Sequence, residues 1–249
     1  VAGKNKTKSV ALFATCLIDL WRPGVARAAV RLLEDAGVKV EVPGGQTCCG
    51  QVNYNGGDEK GAKTLAKHHI RVFEKFDYVV VPSGSCADMI KNHYPGLFED
   101  DHDMKKKALA LAKKTFELTV FLTTIAKWTP SHQEIGALKI TYHDSCSCRR
   151  HLGIQNQPRE LVAAAGHEIA ELPGAEVCCG FGGLFAIKFG DISSHLADKK
   201  CTAIKGTGAK TLVGADLGCL LNLEGRLMAL GEDIEVLHIA ELLARGKQP

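Results

Sequence analysis

Ten cysteines stand at positions 16, 48, 49, 86, 146, 148, 178, 179, 201 and 219 of the 249-residue chain. Thiolates are nucleophiles, redox couples and soft metal ligands, so their spacing decides between chemistries. Cys16, Cys48 and Cys49 recur 130 residues later as Cys146, Cys178 and Cys179, and Cys86 recurs 133 residues later as Cys219. Pro43-Gly44 ahead of the first vicinal pair matches Pro173-Gly174 ahead of the second, and Gly50 matches Gly180. This is an internal duplication of long period. Each copy carries four thiols, and Cys148 and Cys201 fall outside the repeat.

Adjacent cysteines seldom place both sulfurs on one zinc ion, which prefers pairs spaced by two to four residues. They suit a polynuclear centre, where neighbouring thiolates ligate different metals. Spacing alone leaves three readings open: iron–sulfur clusters, structural zinc and thiol–disulfide redox chemistry. The last would need one cysteine of low pKa that reacts far faster than the others.

Each copy spells the same run of elements around its cysteines. A short apolar stretch, Val10–Ala14 or Leu138–Tyr142, leads to the first cysteine. A helix follows, Pro23–Asp35 or Pro158–Ala165, with proline near its start and glycine after its end. A second strand, Val38–Val42 or Glu168–Leu172, leads through Pro-Gly to Cys-Cys-Gly. Another helix, Asp58–Phe76 or Asp191–Thr207, precedes a third strand, Tyr78–Val81 or Thr211–Val213. Cys86 and Cys219 then open the helices Ala87–His93 and Leu220–Leu230. Strands alternating with helices predict an α/β fold of two tandem, pseudo-symmetric units, residues 1–130 and 131–249, each a parallel sheet flanked by helices. The polar and then apolar segment 97–130 is expected to dock as a helix closing the first half, and Leu237–Ala244 to close the second in the same way. Because ligands sit beyond the carboxyl ends of parallel strands, the four cysteines of each copy should meet at one sheet edge. Gly84 and Gly218 would let the backbone crowd a bulky ligand there.

Composition narrows the class. With 31 basic and 28 acidic residues and 45% hydrophobic residues, the chain can bury a core without disulfide staples and carries no basic footprint for nucleic acid. No apolar run approaches the length of a transmembrane helix. Lys4, Lys6 and Lys8 before Val10–Ile18 imitate a signal peptide, but only about six apolar or small residues precede Cys16, short of a secretory core. A basic tail before a first strand, in the reducing cytoplasm, is expected instead. Gly180-Phe-Gly-Gly183 lacks the spacing of a dinucleotide fingerprint.

Cys16-x31-Cys48-Cys49-Gly50-x36-Cys86 and Cys146-x31-Cys178-Cys179-Gly180-x39-Cys219 resemble the duplicated cysteine-rich CCG domain. That domain occurs in the cysteine-rich subunit of heterodisulfide reductase and in the iron–sulfur subunits of glycolate oxidase and anaerobic glycerol-3-phosphate dehydrogenase. Thr47-Cys-Cys-Gly-Gln51, Pro82-Ser-Gly-Ser-Cys86, His143-Asp-Ser-Cys146, Cys178-Cys-Gly-Phe-Gly-Gly183 and Ala215-Asp-Leu-Gly-Cys219 most resemble the lactate utilization protein A family. The resemblance implies a non-autonomous electron-transfer subunit, with iron–sulfur clusters of [4Fe–4S] type, in a cytoplasmic complex oxidising L-lactate to pyruvate. It also implies partner subunits, among them a ferredoxin-type iron–sulfur protein. A zinc-stabilised scaffold or partner-binding module is the alternative. In heterodisulfide reductase each site has five cysteines and a noncubane cluster; here the fifth positions hold Met89 and Asn222. Four thiolates suffice for a cubane cluster.

The remaining candidates are weaker. Cys148, two residues after Cys146, is either a replacement ligand or an incidental thiol, and Cys201 reads as a small buried hydrophobe. His143 reads as a structural or hydrogen-bonding neighbour of the ligands rather than a ligand. Arg149, Arg150 and Lys188 either offset cluster charge or are solvated surface. His68-His69 reads as surface, and Tyr54 and Asn55 as part of a partner or substrate surface.

Overall fold

The computed structural model describes residues 9–130 and 136–245. The lysine-bearing tail of residues 1–8 lies outside them. The order of elements repeats as expected. In the first half, β1 (Val10–Leu12), β2 (Val40–Glu41), β3 (Tyr78–Val81) and β4 (Thr115–Glu117) form a parallel sheet in the order β2-β1-β3-β4. In the second, β5 (Lys139–His143), β6 (Glu168–Ile169), β7 (Thr211–Gly214) and β8 (Glu235–His238) form the sheet β6-β5-β7-β8, parallel throughout. Helices Pro23–Asp35 and Glu59–Phe73 cross over in the first half, Asn156–Ala164 and Gly190–Gly206 in the second. Central strands are apolar on both faces because helices cover both, and Val79, Val80 and Val81 are all buried.

Segment 97–130 departs from its expectation. It is a helix, His102–Lys114, then strand β4, then the turns Leu118–Val120 and Phe121–Ile125. The strand exists because Thr115, Phe116 and Glu117 pair in register with Val79, Val80 and Val81. β8 is its counterpart, pairing beside β7 ahead of helix Ile239–Leu243.

The closing segments also reach across the molecule. Helix Ile239–Leu243 packs on Pro23–Asp35 of the first half, and Leu118–Val120 packs on Asn156–Ala164 of the second. Their apolar residues, Leu118, Phe121, Leu122, Ile239, Leu242 and Leu243, belong to one buried cluster that includes strands and helices of both sheets. Each half is thus closed partly by the other, correcting the expectation that each closes itself. Polar contacts follow the same seam. Arg22 is ion-paired with Glu224 at 2.7 Å, the Gly84 N–H donates to the Ala215 carbonyl at 3.1 Å, and the Ser85 N–H donates to the Asp216 carboxylate at 2.7 Å. The turns carrying Cys86 and Cys219 therefore stand back to back.

Candidate metal centres

Cys16 opens helix Cys16–Trp21 just beyond β1, Cys48 and Cys49 lie in the loop beyond β2, and Cys86 lies in helix Gly84–Asp88 beyond β3. The strand ends bring all four together. Their thiols contact in a chain, Cys16 to Cys48, Cys48 to Cys49 and Cys49 to Cys86. The second half builds the same chain from Cys146 to Cys178, Cys178 to Cys179 and Cys179 to Cys219. In both, the first cysteine and the first of the vicinal pair are half-buried, whereas the other two are buried. All ten cysteines are unbridged.

The vicinal loops are held alike. The Gly50 N–H donates to Cys48 Sγ and the Gly180 N–H to Cys178 Sγ, each at 3.4 Å. Both glycines have φ +87°, and a Cβ on Gly180 would fall 2.5 Å from the Ser193 carbonyl oxygen, so the turn requires glycine. Hydrogen bonds from the neighbouring thiols, assisted by the glycine N–H, hold Cys48 and Cys178 well below the ordinary thiol range. The same sharing pushes Cys16 and Cys146 up, because the proton not held by one sulfur is held by the next. Each site therefore favours one thiolate among its clustered thiols, and thiolate is the form in which cysteine binds soft metal.

Behind the loops the halves differ. The Tyr94 hydroxyl donates to the Cys49 carbonyl at 2.7 Å, which leaves His69 Nδ1–H to donate to the Tyr94 oxygen at 2.9 Å and Nε2 to accept from the Thr47 N–H at 3.4 Å. Burial lowers the His69 pKa to about 4, in keeping with this neutral ring. In the second half, the Asn222 amide donates to the Cys179 carbonyl at 2.9 Å. Lys200, 1% exposed, donates to the carbonyls of Gly174 at 3.0 Å and Ala175 at 3.1 Å. His143, 1% exposed, has both ring nitrogens buried without a hydrogen-bond partner. One of them and the sulfurs of Cys179 and Cys219 lie within 4.8 Å of one another.

Each site's mouth is walled by the opposite half. The four first-half cysteines border a cavity of about 450 Å³ whose far wall is Phe181, Leu184, Ile187, Leu217 and Asn222. Cys178 borders a second, of about 500 Å³, with Asn55 and Gly56.

Several sequence expectations change in this setting. Gly84 and Gly218 are crowded by protein instead of ligand: a Cβ would stand 2.2 Å from Cys148 Sγ and 2.4 Å from the Phe181 ring, respectively. Cys148 therefore belongs to the seam between the halves, and its N–H donates to Ser145 Oγ at 3.2 Å. Cys201 is fully buried in the core. His69 is buried behind the first site rather than on the surface, while His68 bonds the Gly45 carbonyl at 2.6 Å. The helical phase of His69 with Ala62, Ala66 and Phe73, all buried, is the signal that marks it as interior. Met89 is fully buried, and the helix expected at Ala87–His93 is Gly84–Asp88 followed by a π-turn, Met89–His93. Arg149 is paired with Asp144 at 3.3 Å, whereas Lys188 is exposed at the cavity beside Cys178. Tyr54 packs at a tilt against His93, with ring centroids 4.7 Å apart.

Comparison with known proteins agrees with this architecture. The family model of the cysteine-rich domain CCG matches residues 10–91 and again 140–224, one match per sheet. A hypothetical protein from Helicobacter pylori shares the fold, with a TM-score of 0.66 at 12% identity over 98% of this chain and 50% of that one. Lactate utilization protein A of Geobacillus sp. (strain WCH70) is 48% identical over 94% of this chain and 98% of its own. Lactate utilization protein A 2 of Bacillus cereus (strain ZK / E33L) is 44% identical over 95% and 98%. With two CCG units and identity at this level over nearly its whole length, the chain belongs to the lactate utilization protein A family.

Proposed function

We propose that this chain is an iron–sulfur electron-transfer subunit working with partner subunits, among them a ferredoxin-type iron–sulfur protein, to oxidise lactate or a related 2-hydroxy acid to the keto acid. The observation that carries the reading is the same four-thiol chain built twice at the ends of parallel strands. The relatives' names supply lactate. Residues 1–130 and 131–249 act as the two cluster-bearing units, in the reducing cytoplasm where unbridged thiols persist.

The donor sets fit the cofactor. Cys16, Cys48, Cys49 and Cys86 would hold one [4Fe–4S] cluster, and Cys146, Cys178, Cys179 and Cys219 the other, supplying one-electron transfer. Cys48 and Cys178, already inclined to thiolate, would offer the first sulfur to the incoming metal, and the other thiols would give up their protons on loading. Gly50 and Gly180 would keep an N–H on a ligand sulfur, one of the contacts that sets reduction potential. Cys49, Cys86, Cys179 and Cys219 are buried, and the half-buried pair at each site forms its more accessible edge.

Iron and acid-labile sulfide analysis of anaerobically prepared protein tests the reading, together with electron paramagnetic resonance on reduction. Iron and sulfide in equal amounts with a reducible signal support it. Stoichiometric zinc, no redox signal and unfolding on chelation would replace it with the scaffold reading.

A further inference from the structure

The duplication places Phe13 and His143 at equivalent positions, 130 residues apart at the ends of β1 and β5. Phe13 packs its ring on His69 and Phe73, as a core residue should. His143 occupies the same place with a polar ring, yet neither nitrogen finds a hydrogen bond. An imidazole buried with no partner on either side carries the desolvation penalty of both nitrogens.

The neighbours do not relieve it. Lys200 commits its ammonium to two backbone carbonyls, and Asp144 is held by Arg149 and Arg159. The sulfurs of Cys179 and Cys219 are within 4.8 Å but in no hydrogen bond with the ring. Metal bonds of about 2.3 Å to sulfur and about 2.0 Å to nitrogen span gaps of this size. No protein donor or acceptor engages either ring nitrogen, so an imidazole lone pair is left available to a metal. In the first half, by contrast, the imidazole of His69 has both nitrogens occupied.

We propose that His143 is a nitrogen ligand of the second centre, bonded to the metal held by Cys179 and Cys219, so that the second site has five protein donors and the first has four. The inference rests on the metal-centre reading above. It makes the two centres chemically distinct. The unpartnered position that looks like a defect is satisfied on loading.

The test is pulsed electron paramagnetic resonance on the anaerobically reconstituted, reduced full chain, compared with His143→Phe, which installs the first-half residue. Wild-type protein should show a strongly coupled nitrogen that is lost in the variant, while the signal of the first centre is unchanged. A wild type without strong nitrogen coupling, or a coupling that survives in His143→Phe, overturns the proposal. Should the variant fail to fold, [15N]histidine labelling of unmutated protein must convert the coupling to that of 15N, and an unlabelled-type signal overturns the assignment. A His69→Gln control, removing the other imidazole near a site, should leave the coupling intact. If the chain takes up no iron, the electron-transfer reading fails, and the ligand question passes to Co(II)-loaded protein. There X-ray absorption must still show a nitrogen donor that His143→Phe removes.

Discussion

Asn222 holds the carbonyl of Cys179 at 2.9 Å from the sequence position where a fifth cysteine stands in related domains. Tyr94 does the same work for Cys49 at 2.7 Å from a different position. At position 222 an amide therefore stands where the resemblance leads one to expect a thiol, and it anchors the Cys178-Cys179 loop. Asn222→Ala leaves a buried carbonyl without its donor and should destabilise the metal-free protein by about 1–3 kcal/mol. Tyr94→Phe should cost a similar amount in the first half, and the two losses should add because the pairs share no partner. Urea unfolding of both single variants and the double variant checks this.

The two centres should be separable. Cys48→Ser should remove the first cluster and Cys178→Ser the second, each lowering bound iron by roughly half, since every cluster loses a required thiolate. Iron analysis of the two variants and their combination checks the division. Cys201→Ala and Cys148→Ala should leave iron content unchanged, because neither thiol joins either chain of sulfurs.

The seam between the halves makes a coupling prediction. Gly84→Ala would press a methyl against Cys148 Sγ at 2.2 Å and should destabilise by about 1–3 kcal/mol through overpacking. Cys148→Ala should recover part of this in the double variant, the remainder reflecting Ser145 Oγ at 3.0 Å. Thermal or urea melts around the double-mutant cycle measure the interaction directly.

Acid should reach the fold through His238. Its side chain accepts the Ala240 N–H at 3.1 Å while Glu241 accepts the His238 N–H at 2.9 Å, capping the closing helix Ile239–Leu243. Burial lowers its pKa from 6.5 to about 4. Because the unfolded chain binds the proton more readily, stability from this group is complete above about pH 6.5 and is lost as pH falls toward 4, by about 3 kcal/mol. Glu117 acts oppositely over nearly the same range: burial raises it to about 7, so its contribution declines as pH rises from 4.5 to 7. The comparison must therefore be differential. His238→Asn, which retains a capping side chain, should show a smaller stability loss between pH 6.5 and 4 than the wild type in urea unfolding of metal-free protein.

Much of the architecture is legible in the sequence because the repeat offset aligns two sets of elements that have to share a fold. The fourth strands are not. Thr115, Phe116 and Glu117 follow Lys113-Lys114 at the end of a helix and are too few to show alternation. Their extended form comes from pairing with β3, a contact between distant residues. The clustering of the eight repeated thiols is legible from type and spacing, whereas the groups fixing their loops are not. Tyr94 reaches Cys49 across 45 residues, and Lys200 reaches Gly174 across 26, through folded geometry alone. Spacing places His143 beside the second set of thiols, but only its surroundings expose two unpartnered nitrogens.

The crossed walls of the two cavities bear on how such a duplication ages. Since Phe181 and Leu217 shelter the first set of sulfurs while Asn55 borders the second, neither copy is expendable even if its own sulfurs cease to be used. Deleting one would unroof the other. The paired copies are thus free to drift in residue chemistry around their sulfurs, as Phe13 and His143 have done, while remaining bound to each other as architecture.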